Sequence, residues 1–185
     1  MEPYRLFNRE LKTVGEPEIT VEAVPPLAVP YYSQPDDYSC GAACLKMMLE
    51  YNGIKTSLAD LMSHLNVIED DGPMGGLQEE DIVALADRLG ARASGKGDAS
   101  INDIILELKA GRSVMIGYLV REEDGQVNGH FVVAVGSTEH DLIVHDPWGE
   151  PNSPVPLDYL DKNWKAESSK VDRWMMTMSP TKKEP

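Results

Sequence analysis

The apolar residues of this chain change their spacing near residue 113, and that change limits what it can fold into. Upstream they follow a helical period. Cys40, Cys44, Met47, Met48 and Tyr51 fall at i, i+4, i+7, i+8 and i+11, one face of a helix that begins near Cys40 and stops at Gly53. Ser57 and Asp60 resemble a capping box and open a short helix to about Leu65. A third helix runs from about Gln78 to Leu89, and a fourth is capped by Ser100 and ends at Gly111. Downstream the apolar runs are short. Ser113–Val120 predicts a strand, His130–Val135 and Asp141–His145 a hairpin around Gly136–His140, and Val171–Met178 a last strand. Leu157–Asn163 predicts a short helix before that strand. Helices first and antiparallel strands after them define an α+β domain, not an alternating α/β one.

The 185 residues correspond to about one domain. A chain of that size buries about 70% of its unfolded surface and needs no metal or disulfide staple. Residues 1–18 are polar and read as a flexible extension, 19–178 as the folded domain and 179–185 as a flexible tail. From Ile19 to Gln34 the chain reads as extended, because Pro25, Pro26 and Pro30 forbid a helix there. Asn66–Gly76 and Arg121–Gly129 read as loops. The net charge of −14 lacks the clustered Lys and Arg that nucleic-acid phosphates or anionic membrane surfaces attract. No apolar run reaches 18 residues, and the start has no signal-peptide core, so the expectation is a cytoplasmic protein without membrane insertion. Cys40 and Cys44 are the only cysteines and do not form a disulfide framework. No His or Cys cluster has zinc spacing, and Glu69–Gly72 lacks the alternation of a calcium loop. No metal and no cofactor is expected.

Cys40 lies where the extended segment meets the first helix. Backbone N–H groups and the dipole at a helix N-terminus favour a thiolate, the nucleophilic form of cysteine. Cys44 lies one turn further on the apolar stripe, where a free cysteine packs as a small hydrophobe. A nucleophilic cysteine needs a base, and the chain has four histidines. His130 starts an apolar strand and so sits at a sheet end. If Ser137, Thr138 and Glu139 form the hairpin loop, Val133 faces Ile143, Phe131 faces His145 and His130 faces Asp146. A carboxylate opposite an imidazole holds its tautomer and stabilises the imidazolium. Gln34, six residues before Cys40, offers a side-chain N–H that could join the Cys40 backbone N–H around a developing oxyanion. His145 points to the other face of its strand and reads as structural, with replacement of His130 as the alternative. His64 and His140 read as surface residues. Trp148 either lines the cleft or anchors the Asp146–Gly149 turn.

Three blocks together carry a family resemblance. They are Tyr32–Leu45 (YSQPDDYSCGAACL), Gly129–Val133 (GHFVV) and Val144–Gly149 (VHDPWG). They resemble the papain-like cysteine peptidases that process bacteriocin leaders at a double-glycine site, most of all a stand-alone branch without a transporter. The resemblance spans about residues 27–178. It implies a papain-like domain with Cys40 as nucleophile, His130 as general base, Asp146 as orienting acid and Gln34 as oxyanion donor. The chain departs from papain in having CGAAC rather than CGSCW, and no membrane or ATPase domain is expected beside it. The expected function is cysteine-type hydrolysis of a peptide or amide bond through a thioester, with a peptide or protein as partner. The same thioester also serves an acyltransferase, a transpeptidase or a deamidase. A catalytically silent peptide-recognition domain and a Cys40–Cys44 redox pair are the readings from other classes. The spacing of that pair strains a disulfide.

Overall fold

A computed structural model of the protein describes residues 18–65, 77–121, 125, 127–165 and 172–179. Its elements in chain order are α1 (Cys40–Tyr51), α2 (Leu58–His64), α3 (Glu79–Arg88), β1 (Arg92–Lys96), α4 (Ile101–Lys109), β2 (Val114–Arg121), β3 (Val127–Ser137), β4 (Asp141–His145), β5 (Ser153–Pro156), α5 (Leu157–Asn163) and β6 (Met175–Ser179). The expected loose segments at 1–18 and 179–185 and the loop at Asn66–Gly76 lie, apart from Glu18 and Ser179, outside the described residues.

Local chemistry starts the helices where expected. At α2 the Ser57 hydroxyl accepts from the Asp60 N–H at 3.0 Å and donates to the Asp60 carboxylate. At α4 a full capping box forms: Ser100 Oγ accepts from Asp103 N–H, and Asp103 Oδ2 accepts from Ser100 N–H. Gly53, Gly90 and Gly111 follow α1, α3 and α4 with positive φ, the conformation that lets a helix turn off.

The strands form one antiparallel sheet in the order β1-β6-β2-β3-β4-β5. Helices cover both faces. Met115, Val133, Val135, Met176 and Met178 pack against α1, α2 and α3. Val114, Ile116, Val132, Ala134, Leu142 and Val144 pack against α4, α5 and Trp164. Coverage on both faces explains why Val132–Val135 is an unbroken buried apolar run rather than an alternating one. α1 to α4 precede β2 to β6, with α5 between β5 and β6 as expected; β1, between α3 and α4, is not predicted by the sequence pattern. Arg92–Lys96 (RASGK) is mostly exposed and pairs with β6 from Arg92↔Ser179 to Lys96↔Met175. β5 is also unpredicted, since Pro154 and Pro156 fit a strand only at an edge. The last strand begins at Met175 instead of Val171. Asp172 and Arg173 form a turn whose carbonyls accept from Asp98 and Ala99 N–H.

The β3–β4 hairpin corrects the expected register. Val133 faces His145 and Ala134 faces Val144, two residues from the anticipated pairing, and a bulge follows before Gly136↔Ile143 and Ser137↔Leu142. The cause is non-local. The extended segment at residues 24–27 docks on this end of β3: Val24 bridges Ser137, and Leu27 N–H donates to Val135 O at 2.8 Å. A Cβ at Gly136 would lie 2.8 Å from Val24 O and 2.9 Å from Pro26 Cα. Only glycine lets the segment approach that closely.

Candidate active site

Cys40 is the first residue of α1 and is 6% exposed. The preceding Ser39 has φ −96° and ψ 12° and makes no side-chain cap. The first N–H to pair inside the helix is that of Ala43, with Ser39 O. The N–H groups of Cys40, Gly41 and Ala42 therefore have no capping side chain. Gly41 lets this end of the helix press inward, since a Cβ there would lie 3.0 Å from Ile82 Cδ1 and 3.3 Å from Phe131 Cδ2.

His130 lies on β3 opposite Tyr118. Its Nε2 is 2.7 Å from Asp146 Oδ1. Nδ1 is thus the ring nitrogen left for Cys40, whose side chain hydrogen-bonds to His130. Cys40, His130 and Asp146 form one connected chain of side chains. The expected facing of His130 and Asp146 does not occur as a strand pair, because β4 ends at His145 and the register is shifted. The shift is by an even number of residues, which keeps each side chain on its own face, and the turn after His145 brings the carboxylate back to the imidazole. Asp146 is fixed from behind: its Oδ1 also accepts from Trp148 N–H at 2.9 Å. Gly149 packs so close that a Cβ there would lie 3.2 Å from Asp146 Oδ2.

The electrostatics follow from this geometry. Burial alone would push the Cys40 thiol up, but the His130 hydrogen bond and charge, with N–H groups of Phe131 and Gly41, outweigh it and hold the thiol below its ordinary value. Burial alone would lower His130, but hydrogen bonds to Asp146 and Cys40 outweigh it and raise the imidazole to about 10. Burial opposes ionisation of Asp146 too, yet His130 and the N–H groups of Trp148 and Gly149 keep its carboxyl below the ordinary carboxylate range. A thiolate paired with an imidazolium is the stable form of such a pair near neutrality.

Gln34 is tied to the same turn, its N–H donating to Pro147 O at 2.9 Å. Its Nε2 donates to Asp36 O at 2.7 Å, and its Oε1 is buried without a protein partner. Trp148 is half-buried beside Asp146. Tyr31, which had no sequence signal, stitches the extended segment to this turn by donating to the carbonyls of Asp146 and Gly149 at 3.0 and 2.9 Å. His145 is 4% exposed and sits between Val29 O (3.0 Å from Nε2) and Asn152 N–H (3.2 Å from Nδ1). Those partners use both ring nitrogens, so His145 is structural and not an alternative base. His64 and His140 lie at exposed positions away from Cys40. Cys40 and Cys44 are both free thiols. Among the described residues no group of His, Cys, Asp or Glu could hold a metal ion, and no helix is long and apolar enough to cross a membrane.

A sheet covered by helices, with a cysteine at a helix N-terminus facing a strand histidine, defines the papain-like class of cysteine peptidase folds. Residues 26–175 match the model of the Peptidase_C39 like family, and the chain belongs to that family of cysteine peptidase-like enzymes. A search among curated proteins found no match. Many solved structures share the fold, among them the three that follow. A structure described as a C39-like peptidase from Bacillus anthracis superposes with a TM-score of 0.69 at 21% identity, covering 86% of this chain and 98% of that one. A double glycine motif protease from an AMS/PCAT transporter, in complex with the leader peptide, gives 0.60 at 20% identity, covering 87% and 99%. The peptidase domain of Streptococcus ComA, a bi-functional ABC transporter involved in a quorum-sensing pathway, gives 0.61 at 18% identity, covering 80% and 96%.

Proposed function

We propose that this protein cleaves a peptide bond in a peptide or protein substrate through a Cys40–His130–Asp146 triad. The observation that carries the reading is the connected chain from the Cys40 sulfur through the His130 ring to Asp146 Oδ1, with the thiol held low and the imidazole high. The Cys40 thiolate attacks the scissile carbonyl carbon. The oxyanion that forms is held by the Cys40 N–H, left uncapped by Ser39, and by the Gln34 side-chain amide. The His130 imidazolium gives its proton to the leaving amine as the tetrahedral intermediate collapses to a thioester. Neutral His130 then takes a proton from water, which attacks the thioester and releases the acid. Asp146 keeps Nδ1 directed at sulfur throughout by holding Nε2. Trp148, beside Asp146, lines the substrate cleft in this reading. The neighbour solved with a leader peptide supports a peptide substrate.

The test is the rate of iodoacetamide alkylation against pH, with the labelled site located by peptide mapping. Rapid labelling of Cys40 near pH 6, slowed in His130→Ala, is the expected outcome. Labelling of the wild type that rises only above about pH 8 means an ordinary thiol and overturns the mechanism.

A further inference from the structure

Cys44 is wholly buried one helical turn below Cys40, and its Sγ lies 3.3 Å from the carbonyl oxygen of Phe131. The N–H of the same residue is directed at the Cys40 sulfur and helps hold that thiol below its ordinary value. β4 pairs with β3 only from Val133 onward, so the edge of β3 beside Phe131 carries no strand from β4. Two thiols on consecutive turns of α1 therefore face the two polar groups of one strand residue, Cys44 bonded to its carbonyl and Cys40 beside its N–H. The Phe131 ring is held as well. It packs edge-on to Trp174 with centroids 5.8 Å apart, and a Cβ at Gly117 would lie 3.0 Å from Phe131 Cε1.

We propose that Cys44 is a positioning residue for Cys40: its S–H holds the Phe131 carbonyl and thereby aims the Phe131 N–H at the Cys40 sulfur. This rests on the triad reading above and goes beyond packing, the role that burial alone assigns to Cys44. A weak donor suffices, because β4 supplies this carbonyl with no competing donor. The donor also persists when Cys40 is ionised. Burial, with the negative charges of Cys40 and Asp146, pushes the Cys44 thiol well above its ordinary value, so it stays protonated beside a thiolate. The titratable groups around the two sulfurs are His130, Asp146, Tyr31 and Tyr118. Both tyrosines are raised above their ordinary values, so neither changes charge in the range of the test.

Cys44→Val keeps an apolar side chain of similar size and loses the donor. Cys44→Ser keeps a donor and loses some packing. Each variant contains one cysteine, so iodoacetamide reads Cys40 directly, with far-UV circular dichroism establishing that the fold is kept. The Cys40 labelling profile is expected to move up by about half a pH unit to one unit in Cys44→Val, the range of one modest hydrogen bond. In Cys44→Ser it stays within a few tenths of the wild type. Should the valine variant not fold, Cys44→Ala replaces it with the same expected shift. An unmoved profile in a folded donorless variant, or equal shifts with serine and valine, overturns the positioning role while the triad stands. A wild-type profile that is already ordinary overturns both.

Discussion

Gln34 shows how a residue can be legible in the sequence while its surroundings are not. Its place six residues before Cys40 marks it for the oxyanion, but its tether does not appear in any pattern: the backbone bond to Pro147 ties it to the turn that holds Asp146. With Nε2 donating to Asp36 O, one amide hydrogen is used for orientation, and the proposed oxyanion contact would take the other. Gln34→Ala is expected to lower kcat by about 10²–10³-fold with little change in KM, because the lost bond strengthens only as charge develops. Steady-state kinetics on a cleaved peptide checks this, and a rise in KM at unchanged kcat would assign Gln34 to substrate binding instead. Phe131 was invisible to sequence reasoning for a simple reason. What it offers Cys40 and Cys44 is backbone, and every residue but proline carries the same groups.

Among the elements, those built by local chemistry were legible and those built by partners were not. α1, α2, α4 and α5 announce themselves by stripe, cap or turn residues within their own sequence. β1 and β5 do not. RASGK has no apolar alternation and SPVP carries two prolines; each is a strand only because β6 and β4 lie alongside. The β3–β4 hairpin falls between these cases. Its existence was clear, but its register depended on Val24 and Pro26 pressing on Gly136 from over a hundred residues away. The clash partners there are backbone atoms, which cannot swing aside. Gly136→Ala is therefore expected to cost about 1–3 kcal/mol, the usual range for overpacking. Urea unfolding measures it, and a loss under about half a kcal/mol would show that the docked segment is free to shift.

At the scale of the whole molecule, the Cys40–His130 pair links stability to pH. The signs follow from proton counts. His130 is raised, so its contribution is complete below 6.5, its unfolded value, and is lost as pH rises through about 10. Cys40 is lowered from 9.0, so its contribution is complete above 9.0 and is lost as pH falls through its folded value. Above pH 9 the unfolded chain has released both protons, whereas the folded pair keeps one until about pH 10. Stability should thus fall over that interval, by on the order of 1 kcal/mol, in excess of any fall shown by His130→Gln. Urea midpoints for the two proteins at pH 8, 9 and 10 supply the comparison, and parallel curves would mean that the imidazole is not held protonated by its partners.

The machinery around Cys40 is scattered along the chain, and translation gives that scatter a temporal meaning. The helix N-terminus leaves the ribosome early, whereas Phe131, His130 and Asp146 follow roughly a hundred residues later. At about 5–20 residues per second, that delay is on the order of 5–20 seconds. During it the nascent cysteine has neither imidazole nor strand N–H beside it, and its sulfur keeps an ordinary, sluggish reactivity. In the proposed mechanism the nucleophile is thereby switched on only once these long-range contacts have closed.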